Sequence, residues 1–182
     1  ADLFEDAQEG ELPVALFPAD TKEGDALFYT ERGMIKRTAW SEYNVGKPFF
    51  QAIRLNEDDR VIGVETDTEE KEETIFFVTK CGMCLNARKD DIPSQGRIAG
   101  GVKGINLNEG DEVVFAAQID GEGEVVVAIT GGRIKRIIVA QVDPLPRYRK
   151  GIQIAVLKEG EEVLFASYVT IPYMLGLALE DG

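Results

Sequence analysis

One segment of this chain occurs three times, at residues 27–37 (LFYTERGMIKR), 76–86 (FFVTKCGMCLN) and 126–136 (VVAITGGRIKR), and this recurrence limits the fold more than any other feature. Its glycines, Gly33, Gly82 and Gly132, stand about 50 residues apart. A second segment follows each copy, at residues 53–62 (IRLNEDDRVI), 105–114 (INLNEGDEVV) and 155–164 (AVLKEGEEVL). Residues 12–33 also align without a gap on residues 61–82, so the repeat is expected to begin at residue 12, after an acidic extension over residues 1–11. At the other end, LALEDG of residues 177–182 matches FYTERG and FVTKCG, which makes residues 12–182 one expected domain of repeated units.

Within each unit the apolar runs are short and rich in β-branched or aromatic residues, as in residues 75–78 and 125–129, and they end at Gly, Asp or Asn turns. These read as strands, and the glycines after them as hairpin turns that need a positive φ. No stretch of ten or more residues keeps helical spacing, and Pro144 and Pro146 interrupt the best remaining candidate. A period of about 50 residues with about four short strands per unit is the mark of propeller-like blades that bury their faces on one another.

The chain has no histidine, which removes the commonest general base and metal ligand together with every Ser-His or Cys-His nucleophile. Its two cysteines, Cys81 and Cys84, lack partners for a four-ligand zinc site, and the repeat register puts Cys84 where Ile35 and Ile134 stand, in a strand of the core. Residues 108–111 (NEGD) and 158–161 (KEGE) read as turns, since the ligand spacing of an EF-hand is missing. Residues 100–104 (GGVKG) lack the strand-to-helix setting of a P-loop. No metal and no cofactor is expected. No run of 18 apolar residues occurs, so no membrane span is expected and the cytoplasm is the expected compartment.

The formal charge of minus 13 hides a segregation. The stretches after each glycine, residues 32–54, 80–103 and 133–150, hold 16 of the 20 basic residues and 4 of the 33 acids; they carry plus 12 and leave the rest of the chain at minus 25. Equivalent segments of a blade array recur on equivalent faces, so three basic connectors form an expected stripe suited to a curved polyanion. Acidic turns elsewhere offer a second reading, a propeller-type protein-interaction module that docks a basic partner through its acidic face.

The pattern of a strand, Gly-x-Ile-Lys-Arg, a Gly-Val-x-x-Ile-x-Leu segment and Asn-Glu-Gly-Asp-x-Val-Val resembles the C-terminal repeats of bacterial gyrase and topoisomerase IV A subunits over residues 12–182. The resemblance implies an all-β fold, a β-pinwheel of about three complete four-stranded blades plus a split or partial terminal blade. It also implies a non-catalytic role: the domain binds double-stranded DNA by its phosphates and bends it, while the cleavage tyrosine and the ATPase lie outside this chain. The implied partners are the catalytic core of the same topoisomerase A subunit, together with its ATPase partner subunit, in a nucleoid-associated enzyme.

The implied DNA-binding residues are Lys36, Arg37, Lys47 and Arg54 in the first unit, Arg88, Lys89, Arg97 and Lys103 in the second, and Arg133, Lys135, Arg136, Arg147, Arg149 and Lys150 in the third. The second unit departs from the motif, because Leu85 and Asn86 replace its Lys-Arg. Residues 95–104 (QGRIAGGVKG) resemble a degenerate form of the basic glycine-rich box of gyrases, which makes the sequence more similar to topoisomerase IV. Tyr43 aligns with Ile92 and Val142, and Trp40 with Lys89 and Val139; both aromatics are expected in blade packing.

Overall fold

A computed structural model of the chain describes residues 11–18, 21, 23–67 and 73–176. The three repeated glycines each close a hairpin: β1 (Asp25–Thr30) with β2 (Met34–Ala39), β4 (Thr74–Thr79) with β5 (Met83–Arg88), and β8 (Glu124–Ile129) with β9 (Arg133–Ile138). Gly33, Gly82 and Gly132 have φ of 78°, 77° and 77°, the left-handed conformation that glycine adopts without steric cost. A third strand lies on the other side of each hairpin's first strand: β3 (Val61–Thr66), β7 (Val113–Ile119) and β11 (Val163–Val169).

The fourth strand comes from the following unit. β6 (Val102–Lys103) joins the outer edge of β2, and β10 (Ile152–Gln153) joins the outer edge of β5. The sheets therefore run β3-β1-β2-β6, β10-β5-β4-β7 and β11-β8-β9, the strand exchange expected of a β-pinwheel. Two blades have four strands and the third has three among the described residues, with its outer edge β9 bare.

The first strand of each hairpin, β1, β4 and β8, carries a near-continuous apolar run because both its faces are covered. Along β4, Ile75 and Phe77 point to a core shared with Leu27, Tyr29 and Ile35 of the first blade. Phe76 and Val78 point the other way, into a core shared with Val125, Val127 and Ile129 of the third. The inner strand β7 packs against both β3 and β11. Short 3-10 turns at Trp40–Tyr43, Lys89–Asp91 and Val139–Gln141 follow β2, β5 and β9, and these carry the chain into the connectors.

The two ends of the array differ from its middle. Ile35 and Cys84 are 1% and 0% exposed, whereas their equivalent in the third blade, Ile134, is 38% exposed because no further blade covers that face among the described residues. Residues 12–17 align with β3 yet form no strand, and Leu12 and Leu16 stand exposed. Among the described residues no strand pairs with them as β1 pairs with β3. All but residue 11 of the acidic extension expected over residues 1–11, and the hairpin expected from the repeat at 177–182, also lie outside the described residues.

Candidate nucleic-acid interface

The second and third basic connectors each follow the outer edge of the preceding unit's blade and then enter that blade as its fourth strand. Gln95 N donates to Arg37 O at 2.8 Å, and Ser94 pairs with Arg37 in parallel before β6 docks on β2. One unit on, Leu145 N donates to Asn86 O and Arg88 N to Leu145 O, at 2.8 and 2.9 Å, before β10 docks on β5. Connectors also touch in sequence: Arg54 N donates to Ala99 O, and Tyr148 N to Gly104 O. Gly101 and Gly151 permit this close approach, since a Cβ on Gly151 would lie 1.8 Å from Cys84 O and one on Gly101 2.5 Å from Ile35 O.

Lys36 and Lys89 do not belong to the exposed set. Lys36 is buried under the connector of the second unit, where its ammonium donates to Ala52 O at 2.6 Å, to Arg97 O and to Tyr43 OH at 3.2 Å. It also lies 5.3 and 5.6 Å from the ring centroids of Phe28 and Tyr43. Burial, and after it the Arg97 guanidinium, pulls its pKa down to about 8. Lys89 is buried in an ion pair, 2.9 Å from Asp67 and 3.2 Å from Glu73. Arg37 is partly exposed and divides its guanidinium between Asp25 at 2.5 Å and Asp67 at 3.2 Å. These groups fasten the first two units together and are committed to internal partners.

The remaining expected cations sit at the surface. Lys47, Arg54, Arg88, Lys103, Arg149 and Lys150 are exposed on or beside connectors, and Arg97 and Arg147 are half-buried at connector tips. Arg97 donates to Gln51 O at 2.7 Å, and Arg147 to Asp91 O at 2.8 Å and Lys103 O at 3.1 Å, which fixes their stems along the edge. Arg133, Lys135 and Arg136 are exposed on β9 itself, because its outer edge carries no connector among the described residues. Arg133 pairs with Glu161, and Arg136 approaches Glu124 at 3.6 Å. The outer edges of all three blades thus present positive charge.

The acidic turns occupy the hairpin end of the blades and are joined there by a ladder of ion pairs that the sequence pattern does not reveal. Arg60 meets Glu31 at 2.6 Å, Lys80 meets Glu112 and Glu162 at 3.6 and 3.3 Å, and Asp111 accepts from Thr79 and from the Cys81 N–H. Cys84 is a core thiol whose pKa burial raises to about 12, and Cys81 stands exposed in the hairpin turn. Tyr43 and Trp40 pack beside Phe28 and Ile53. Among the described residues no group of three or more His, Cys, Asp or Glu side chains could hold a metal, and no helix is long and apolar enough to cross a membrane.

The architecture defines the class: an array of strand-exchanging blades with cations on its outer edge. Residues 51–66, 73–120 and 130–170 match the family described as "DNA gyrase C-terminal domain, beta-propeller". The gyrase A protein of Staphylococcus epidermidis is 33% identical over 149 residues, covering 80% of this chain and 16% of that protein. The corresponding A protein of DNA topoisomerase 4 from Bacillus subtilis is 30% identical over 128 residues, covering 69% of this chain and 16% of that protein. A crystal structure of the C-terminal domain of DNA topoisomerase IV superposes with a TM-score of 0.75 at 30% identity, over 81% of this chain and 47% of that one. The E. coli ParC C-terminal domain shares the fold, with a TM-score of 0.65 at 15% identity over 82% of this chain and 63% of that one. The chain belongs to the DNA gyrase C-terminal domain family, and it spans about one sixth of the length of the curated relatives it matches.

Proposed function

We propose that this chain binds double-stranded DNA along the outer edges of its blades and bends it, as an accessory domain of a type IIA topoisomerase A subunit that breaks no DNA itself. The observation that carries this reading is the repeated placement of exposed cations on connectors that follow the same edge of successive blades. Contacts of this kind go to phosphates, so they set position and affinity without reading sequence, and bending draws on the deformability of the duplex. The degenerate box at residues 95–104 favours a topoisomerase IV-like role over gyrase-type wrapping. In the whole enzyme the domain would work in the cytoplasm, beside the nucleoid, with the catalytic core of its own polypeptide and the ATPase partner subunit. There it raises the local concentration of a second duplex near the gate.

A salt titration on a long linear duplex tests the reading. With about five phosphates neutralised, the log-log slope of the binding constant against salt is expected near minus 4 to minus 5. A variant with Lys103, Arg147, Arg149 and Lys150 all changed to Ala should lose affinity equally on unrelated sequences. Absence of binding at low salt would overturn the proposal and turn attention to the acidic turns and a basic protein partner.

A further inference from the structure

Cations are not all that the connector tips present. Sixteen residues after its hairpin glycine, each unit exposes an apolar side chain: Phe49 is 50% exposed, Ile98 59% and Tyr148 42%. The first connector is three residues shorter than the others between its glycine and its third strand, and it carries an exposed aromatic pair, Phe49 and Phe50, where they carry single residues. Every one of these side chains lies beside positive charge. Lys47 precedes Phe49 by two residues, Arg97 adjoins Ile98 and lies 5.6 Å from the Phe50 centroid, and Arg147 and Arg149 flank Tyr148. Lys103 sits 4.9 Å from the Tyr148 centroid.

Tyr148 adds a second, independent observation. Its φ is 61°, a conformation that a bulky residue adopts only under constraint, and its N–H is held on Gly104 O at 2.6 Å. A constrained backbone of this kind fixes the direction of the side chain, whose hydroxyl accepts from Lys103 Nζ at 3.1 Å while 42% of the residue stays exposed. A large apolar group kept in water between cations has a surface of mixed character. It matches a duplex, whose phosphates border the apolar faces of its sugars and bases.

Resting on the DNA-binding reading, we propose that Phe49, Ile98 and Tyr148 form a row of wedges that press into the minor groove of the bound duplex and partly open base steps. Inserted apolar side chains kink DNA at the cost of unstacking, and the extra contacts made by the bent duplex offset that cost. The connectors then hold the duplex by its phosphates while the tips bend it.

The test uses the full chain with duplexes that carry 2-aminopurine at successive positions, whose fluorescence rises when a base is unstacked. The wild type should raise it, and Phe49→Ala, Ile98→Ala, Tyr148→Asn in one chain should abolish the rise while salt-dependent binding to the duplex persists. Asn is chosen because it tolerates a positive φ. Binding without any rise in the wild type, or a rise that persists in the triple variant, overturns the wedges and leaves phosphate binding standing. No binding by the wild type overturns both.

Discussion

Lys36 and Lys135 occupy the same place in the repeated Gly-x-Ile-Lys-Arg motif, and the structure gives them opposite environments, so replacing each by Ala should separate a packing role from a surface one. At Lys36 the change removes about three buried methylenes, worth about 0.8 kcal/mol each. It also leaves Arg97 O without its donor, at about 1 kcal/mol, while Ala52 O keeps the Tyr43 hydroxyl, and the loss is offset in part because a desolvated ammonium no longer has to be kept in the fold. The net expectation is a loss of about 2 kcal/mol, which for a chain of this size lowers Tm by about 4 to 8 °C. Lys135 is exposed and makes no comparable contacts, so Lys135→Ala should change stability by less than about 0.5 kcal/mol. Urea unfolding followed by the fluorescence of Trp40, which packs in the same cluster as Phe28, reads both. Equal effects of the two substitutions would refute the assignment of Lys36 to the interior.

Three further outcomes follow from the same geometry. The Lys36 pKa falls from 10.5 to about 8 on folding, so between those values the unfolded chain binds more protons and stability rises with pH; below pH 8 this contribution is absent. Lys36→Met should remove that component, seen as a flatter difference curve in denaturant titrations from pH 7.5 to 10.5. Lys89→Ala takes away the ammonium shared by Asp67 and Glu73 and should cost about 3 kcal/mol by calorimetry, the low end for a broken buried pair because Arg37 still meets Asp67. Gly151→Ala should cost well over about 2 kcal/mol and expose the β10 amides to hydrogen exchange, because its Cβ would meet backbone; Gly160→Ala, at nearly the same φ but with nothing within 4 Å, should cost about 1 to 2 kcal/mol.

The blade repeat was legible because a strand buried on both faces needs an apolar run, and a hairpin needs its glycine, at every recurrence. Strand exchange followed only from the family resemblance and not from the pattern of residues, because β6 and β10 are two residues long and differ from loop only by the blade edge they meet. The burial of Lys89 had a signal that charge counting overrode: the register aligns it with Trp40 and Val139, and a cation in an apolar column is one that has found internal partners. The burial of Lys36 had none, since the register aligns it with Leu85 but also with the exposed Lys135. Exposure of the β9 cations had no such signal, since it depends on whether a following connector covers that edge.

Whether the duplex lies along the outer edge is tested most directly by photo-crosslinking to DNA from p-benzoylphenylalanine placed singly at Ser94, at its equivalent Pro144, and at Glu122 in the turn between the inner strand β7 and β8, all exposed positions. Crosslinks from Ser94 and Pro144 with none from Glu122 are predicted. Crosslinks from Glu122, or from no connector position while the protein still binds DNA, would contradict an outer-edge path.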